Sequence, residues 1–166
     1  VRCKVINSIH QGLPQNRPRM YIVGILKEVD NGTFEWPDDI EPCSASTLLD
    51  RRGQLMACIG MPEVERSVAF KNVSGFTKAL IELGIAPHFE DYFISCDSST
   101  RSSKCWNGRV PCMASSKSLG YWITSRGRRM NKYEQMRYNG MNPTKFNLAV
   151  SASELGPHIH FYRQRD

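Results

Sequence analysis

The chain lacks several things that would define other classes of protein. No apolar run approaches the roughly 20 residues that a membrane-spanning helix needs, and no basic-then-apolar opening marks a secretory signal. The six cysteines, Cys3, Cys43, Cys58, Cys96, Cys105 and Cys112, contain no closely spaced pair of the metal-binding kind. Free, mostly buried thiols are therefore expected. Cys96, Cys105 and Cys112 form the one conceivable zinc set, and neither of their gaps is a usual ligand spacing. The four histidines make no ligand pattern, although His158 and His160 alternate as strand neighbours do. Acidic residues are missing from two places. Residues 1–27 hold five basic groups and no acid, and residues 98–137 hold nine against Glu134 alone. The stretch between them, 28–97, carries thirteen acids and five basic groups. With a net charge of +6, this segregation suits two separated segments that converge on a phosphate backbone while the middle faces elsewhere.

At 166 residues with a 40% hydrophobic share, the chain can bury one core, or one small domain plus pieces of another. Its most informative run is Gly12-Leu-Pro-Gln-Asn-Arg-Pro-Arg-Met-Tyr-Ile-Val-Gly24. Pro14 and Pro18 each hold the preceding residue extended, and alternate side chains of an extended chain share a face. Gln15, Arg17 and Arg19 are thus expected to point the same way, as an amide and two guanidiniums able to grip an anion or a base edge. A basic hairpin whose arginines simply face solvent has the same spacing. Val5–Ile9 and Met20–Leu26 read as neighbouring strands of a buried sheet on either side of this turn. Asp30-Asn-Gly32 closes the second strand.

Further on, Ala45–Asp50 reads as a short helix. Phe76–Leu83 reads as an amphipathic helix stopped by Gly84, and Tyr92–Ile94 and Tyr121–Thr124 read as strands. The serine-rich stretch from Asp97 to Arg109 presents Arg101, Lys104 and Arg109 around a Trp106-Asn-Gly108 turn. That composition suits a DNA contact and equally an ordinary loop. Asn131 and Glu134 have capping-box spacing, which predicts a helix over Lys132–Asn139 ended by Gly140. Arg126, Arg128 and Arg129, close to that helix N-terminus, are candidates for gripping DNA phosphates.

Gly12-Leu-Pro-Gln-Asn-Arg-Pro-Arg19 followed by an apolar strand resembles the Gln-x-Arg-x-Arg motif of the DNA (cytosine-5) methyltransferases. Arg128-Arg-Met-Asn-Lys-Tyr-Glu-Gln-Met-Arg-Tyr-Asn-Gly-Met141 is similar to a later segment of that family, with paired arginines and a capped helix. The resemblance implies an α/β fold, in which the end of a Rossmann-like, S-adenosylmethionine-dependent core meets a smaller mixed α+β target-recognition domain. Residues 1–36 would be the last core strands, 37–122 the recognition domain, and 123–166 a return to the core that is truncated or divergent after about residue 156. It also implies roles: Arg128, Arg129 and Glu134 would chiefly brace the recognition domain against the core rather than grip phosphate. Arg19 would meet the flipped cytosine, Arg17 would steady the catalytic loop and Gln15 would organise the turn. Double-stranded DNA would be the partner, S-adenosyl-L-methionine the methyl donor, and the location nuclear in a eukaryote or cytoplasmic otherwise.

The family's nucleophile is the thiol of a Pro-Cys loop that precedes the arginine motif. Pro42-Cys43 and Pro111-Cys112 both follow it, and Pro42-Cys43 continues with Ser rather than Gln. After Leu155-Gly156 the family's Gly-Asn motif is replaced by Pro-His-Ile-His. The expectation is a C-terminal part of such an enzyme, inactive alone. The alternative is a non-catalytic DNA-binding remnant or one subunit of a split methyltransferase.

Overall fold

The computed structural model describes residues 1–51, 61–62, 65–112 and 120–145. Cys58, His158, His160 and the divergent segment after Gly156 lie outside the described residues. The class is mixed α/β, built on small sheets.

Strand β1 (Arg2–Asn7) leads through a 3-10 turn at Ser8–His10 to β2 (Gln15–Asn16) and β3 (Pro18–Val23). β1 and β3 pair antiparallel, with Arg2 opposite Val23 and Asn7 opposite Pro18. Asn7 clips the end of this ribbon. Its Oδ1 accepts from the Arg17 N–H at 2.8 Å and its Nδ2 donates to Asn16 Oδ1 at 2.7 Å. A pair of strands is therefore present, each starting two or three residues earlier than Val5–Ile9 and Met20–Leu26, but it is not a buried sheet: Val5, Met20 and Ile22 are 61–68% exposed. Two strands alone cannot cover their own faces, and no described element packs over these side chains.

The core forms on a four-stranded antiparallel sheet in the order β5 (Cys105–Asn107), β4 (Tyr92–Ile94), β7 (Trp122–Ile123), β8 (Arg128–Arg129). Strand alternation sends neighbours to opposite faces. Phe93 and Ile123 pack with Ala45, Leu49, Val110, Tyr121, Met130 and Tyr138, whereas Ile94 and Trp122 pack with Val73 and Cys96. Each large apolar side chain buried in this way contributes about 1.5–3 kcal/mol. Helix α1 (Val68–Glu82) covers the second face, with buried Asn72 donating to the carbonyls of Cys96 and Ser98. Helix α2 (Lys132–Tyr138) covers the first, where Tyr138 meets Phe93 edge-on at 5.6 Å.

α2 begins on the expected capping box, in which Asn131 Oδ1 accepts from the Glu134 N–H and the Glu134 carboxylate accepts from the Asn131 N–H. α1 starts eight residues before the predicted Phe76, because Ser67 caps it by accepting from the Phe70 N–H at 3.0 Å. The polar run Lys71-Asn72 and the pair Ser74-Gly75 hide its periodicity. Gly84 and Gly140 take positive φ where the two helices stop. Ala45–Leu48 is 3-10 rather than α. No disulfide joins the described cysteines, and Cys96 alone among them is fully buried, since Cys3 sits on the exposed ribbon and the other three are half-buried.

Candidate nucleic-acid interface

The arginine turn is held from both sides. β2 runs parallel to β6 (Val110–Pro111), pairing Gln15 with Val110 and Asn16 with Pro111. The Val110 N–H donates to the Pro14 carbonyl at 3.1 Å, and Ser8 Oγ donates to the Gln15 carbonyl at 2.6 Å. Consequently Gln15 and Arg19 do not sit in the same surroundings. Gln15 belongs to the β2–β6 pair and is 1% exposed, whereas Arg19 stands opposite Ile6 in the exposed ribbon. The extended run changes sheets between them.

Gln15 Nε2 donates to Asn139 Oδ1 at 3.5 Å, tying the turn to the end of α2. Its Oε1 is buried without a donor among the described residues. Arg17 is half-buried, its Nε likewise without an acceptor there. Arg19 Nη1 donates to its own neighbour's carbonyl, Pro18, at 2.7 Å, and Nη2 lies 4.0 Å from Cys112 Sγ. Neither arginine meets a carboxylate among the described residues.

The arginines of the return segment are placed differently. Arg126 pairs with Asp91 at 3.1 Å, its side chain only 9% exposed. Arg128 grips Glu134 through two 2.8 Å bonds. That fully buried carboxylate also accepts from the N–H groups of Asp50 at 2.9 Å and Asn131 at 2.8 Å. Arg129 grips Asp97 through bonds of 2.7 and 2.8 Å and donates to Cys96 Sγ at 2.9 Å. Arg137 holds Asp50 and donates to the Leu48 carbonyl at 2.6 Å.

Titration follows this placement. Burial pushes the Asp50 carboxyl up, but hydrogen bonds from Asn131 and Arg137 and the charges of Arg137 and Arg128 outweigh it and leave the group below its ordinary 3.8. Burial raises the Cys96 thiol despite the guanidinium of Arg129 beside it, and raises Cys105 to about 11. Charged hydrogen bonds of the bidentate kind are the strong ones, so these arginines act first as braces.

Arg101, Lys104 and Arg109 are exposed, and none has a side-chain hydrogen bond or ion pair among the described residues. Behind them Trp106 packs edge-on against Tyr121 at 5.5 Å. Sequence reasoning missed Asn7 and Asp50, whose roles come from contacts across folded distance. Among the described residues, no three of His, Cys, Asp and Glu lie close enough to share a metal ion, and no helix is long and apolar enough to cross a membrane.

Residues 1–164 match the family model described as C-5 cytosine-specific DNA methylase. No curated protein and no solved structure matches the chain.

Proposed function

Because the chain belongs to the C-5 cytosine-specific DNA methylase family, we propose that it supplies the stabilising part of a site that methylates carbon 5 of cytosine in double-stranded DNA. Residues 1–36 carry the arginine turn of the catalytic core, 37–122 the target-recognition domain, and 123–166 the return segment. The nucleophilic thiol lies outside these residues, since both Pro-Cys dipeptides follow the arginine turn and neither opens a Pro-Cys-Gln loop.

S-adenosyl-L-methionine, which this family uses, supplies the methyl group when bound. Its expected cradle is a glycine-rich passage from strand to helix. The described passage from β8 to α2 runs through Met130 and Asn131 without a glycine, so no residue here is assigned to the methyl donor. The contribution of this chain is electrostatic. A cytosine must leave the stack before its ring can react, and negative charge then grows on the pyrimidine. An arginine fixed beside it stabilises that charge without reorganising, and one such donor is worth about 3 kcal/mol.

The observation that carries this reading is that the Arg19 guanidinium meets no carboxylate among the described residues while the return-segment arginines each hold one. Arg17 steadies the turn from beside it, and Gln15 organises the turn from inside through Asn139. Arg101, Lys104 and Arg109 supply contacts to the duplex. Arg126, Arg128 and Arg129 reach phosphate only through groups left over from their ion pairs, so bracing is their main role.

The test uses the purified chain with a labelled methyl donor and a cytosine-containing duplex. Binding of the duplex without methyl transfer is expected. Turnover by these 166 residues alone contradicts the assignment of the nucleophile, and failure to bind DNA contradicts the reading as a whole.

A further inference from the structure

The geometry points to Asn107 and Arg109 as the pair that reads base edges in the duplex, an inference that rests on the function proposed above. The two residues flank Gly108, where the chain leaves the four-stranded sheet at the end of β5 and enters the β2–β6 pair. The Arg109 N–H donates to the Asn107 carbonyl at 2.7 Å across Gly108, whose φ is +70°. This is a three-residue γ-turn, a tip that glycine takes with little strain.

Both feet of the tip are fixed. Trp106 is packed on Tyr121, and Val110 is buried and bonded to the turn that carries Arg17 and Arg19. The side chains on the tip are the opposite case. Asn107 and Arg109 are exposed, with no side-chain hydrogen bond or ion pair among the described residues. A rigid support under unengaged polar groups is what recognition requires, because the groups are positioned before the ligand arrives.

Their chemistry separates base from backbone. Arg109 lines a cleft of about 250 Å³ together with Glu41, His10 and Asp39, the last two 3.7 Å apart. Carboxylates there repel a phosphate but not the neutral edge of a base. An arginine fork matches the paired acceptors of guanine, and an asparagine amide matches the donor and acceptor of adenine. Arg101 and Lys104 lie outside that cleft, and backbone contact suits them better.

The experiment selects duplexes from a randomised pool with the purified chain and sequences the bound fraction. The unaltered chain enriches one short motif. Asn107→Ala and Arg109→Lys each relax one position of it by at least about five-fold. Average affinity and unfolding midpoint stay close to the unaltered chain's, since the lysine keeps the charge and loses only the fork. Lys104→Ala lowers affinity for all sequences alike. A motif unchanged in both tip variants, or binding without any motif, overturns the inference while leaving the proposed function standing. A chain that binds no duplex at all overturns both.

Discussion

Two groups of arginines in this chain do opposite things. Arg126, Arg128, Arg129 and Arg137 each face a carboxylate, and one of those carboxylates, Glu134, is fully buried among four donors. Arg17 and Arg19 face none among the described residues, although the turn that carries them is clamped by Asn7, Ser8, Asn139 and Val110. A guanidinium already bonded to a buried carboxylate is committed to the fold. One left unpaired on a rigid turn keeps its full charge for a ligand. The same residue type is thus tied into the fold in one place and, in the proposed reading, left for a ligand in the other, and the presence of a carboxylate partner marks the difference.

The largest break in this comparison is expected at Glu134. Glu134→Ala leaves two buried backbone N–H groups without their acceptor, while the partly exposed Arg128 can turn to water, and the unmade buried hydrogen bonds cost about 3 kcal/mol. Urea unfolding should place the variant that far below the parent. A loss of less than about 1 kcal/mol would mean that the network is idle, as exposed ion pairs often are.

That network also shows what was legible beforehand. The capping box at Asn131 and Glu134 was readable because its two halves are three residues apart. The strands flanking the arginine turn, and Gly140 as a helix stop, were readable for the same local reason. The split of Gln15 from Arg19 was not. It depends on β6, nearly a hundred residues further on, pairing with β2 and drawing the amide inward. The start of α1 was hidden by Asn72, a polar residue whose burial is made tolerable only by the carbonyls of Cys96 and Ser98. The exposed apolar face of the β1–β3 ribbon reads in sequence like that of any core strand, since alternation says which residues share a face but not whether anything covers them.

A smaller effect should appear in acid. The Asp50 carboxyl is held below its ordinary 3.8 by Asn131, Arg137 and Arg128 against the opposing effect of burial. A lowered carboxylate pKa contributes stability that is complete above the unfolded value and is lost as pH falls through the folded one. The unfolding midpoint should therefore drop more steeply below about pH 4 in the parent than in Asp50→Asn, for which that limb is flatter. Parallel acid limbs would show that Asp50 is not coupled to folding.

The smallest effect concerns the thiols. Cys3 is exposed, while burial raises Cys96 and takes Cys105 to about 11. Because the thiolate is the reactive form, iodoacetamide near neutral pH should label Cys3 first and Cys96 and Cys105 last. Rapid labelling of Cys96 in the folded chain would mean that the Arg129–Cys96–Asp97 corner opens readily, and would weaken the case for Arg129 as a brace.

The most direct measurement sets Arg19→Ala against Arg128→Ala in an active methyltransferase assembled from this chain and the segment proposed to carry the nucleophile, reading methyl transfer, DNA affinity and unfolding midpoint together. For Arg19→Ala the account predicts methyl transfer lower by two to three orders of magnitude, the loss of one charge-stabilising donor at about 3 kcal/mol, with an unchanged midpoint and DNA affinity within a few-fold. Arg128→Ala should instead lower the midpoint, with activity following the folded fraction. If Arg19→Ala loses stability as Arg128→Ala does, or loses DNA affinity and methyl transfer equally, Arg19 is a brace or a phosphate grip and the division between the two groups of arginines fails.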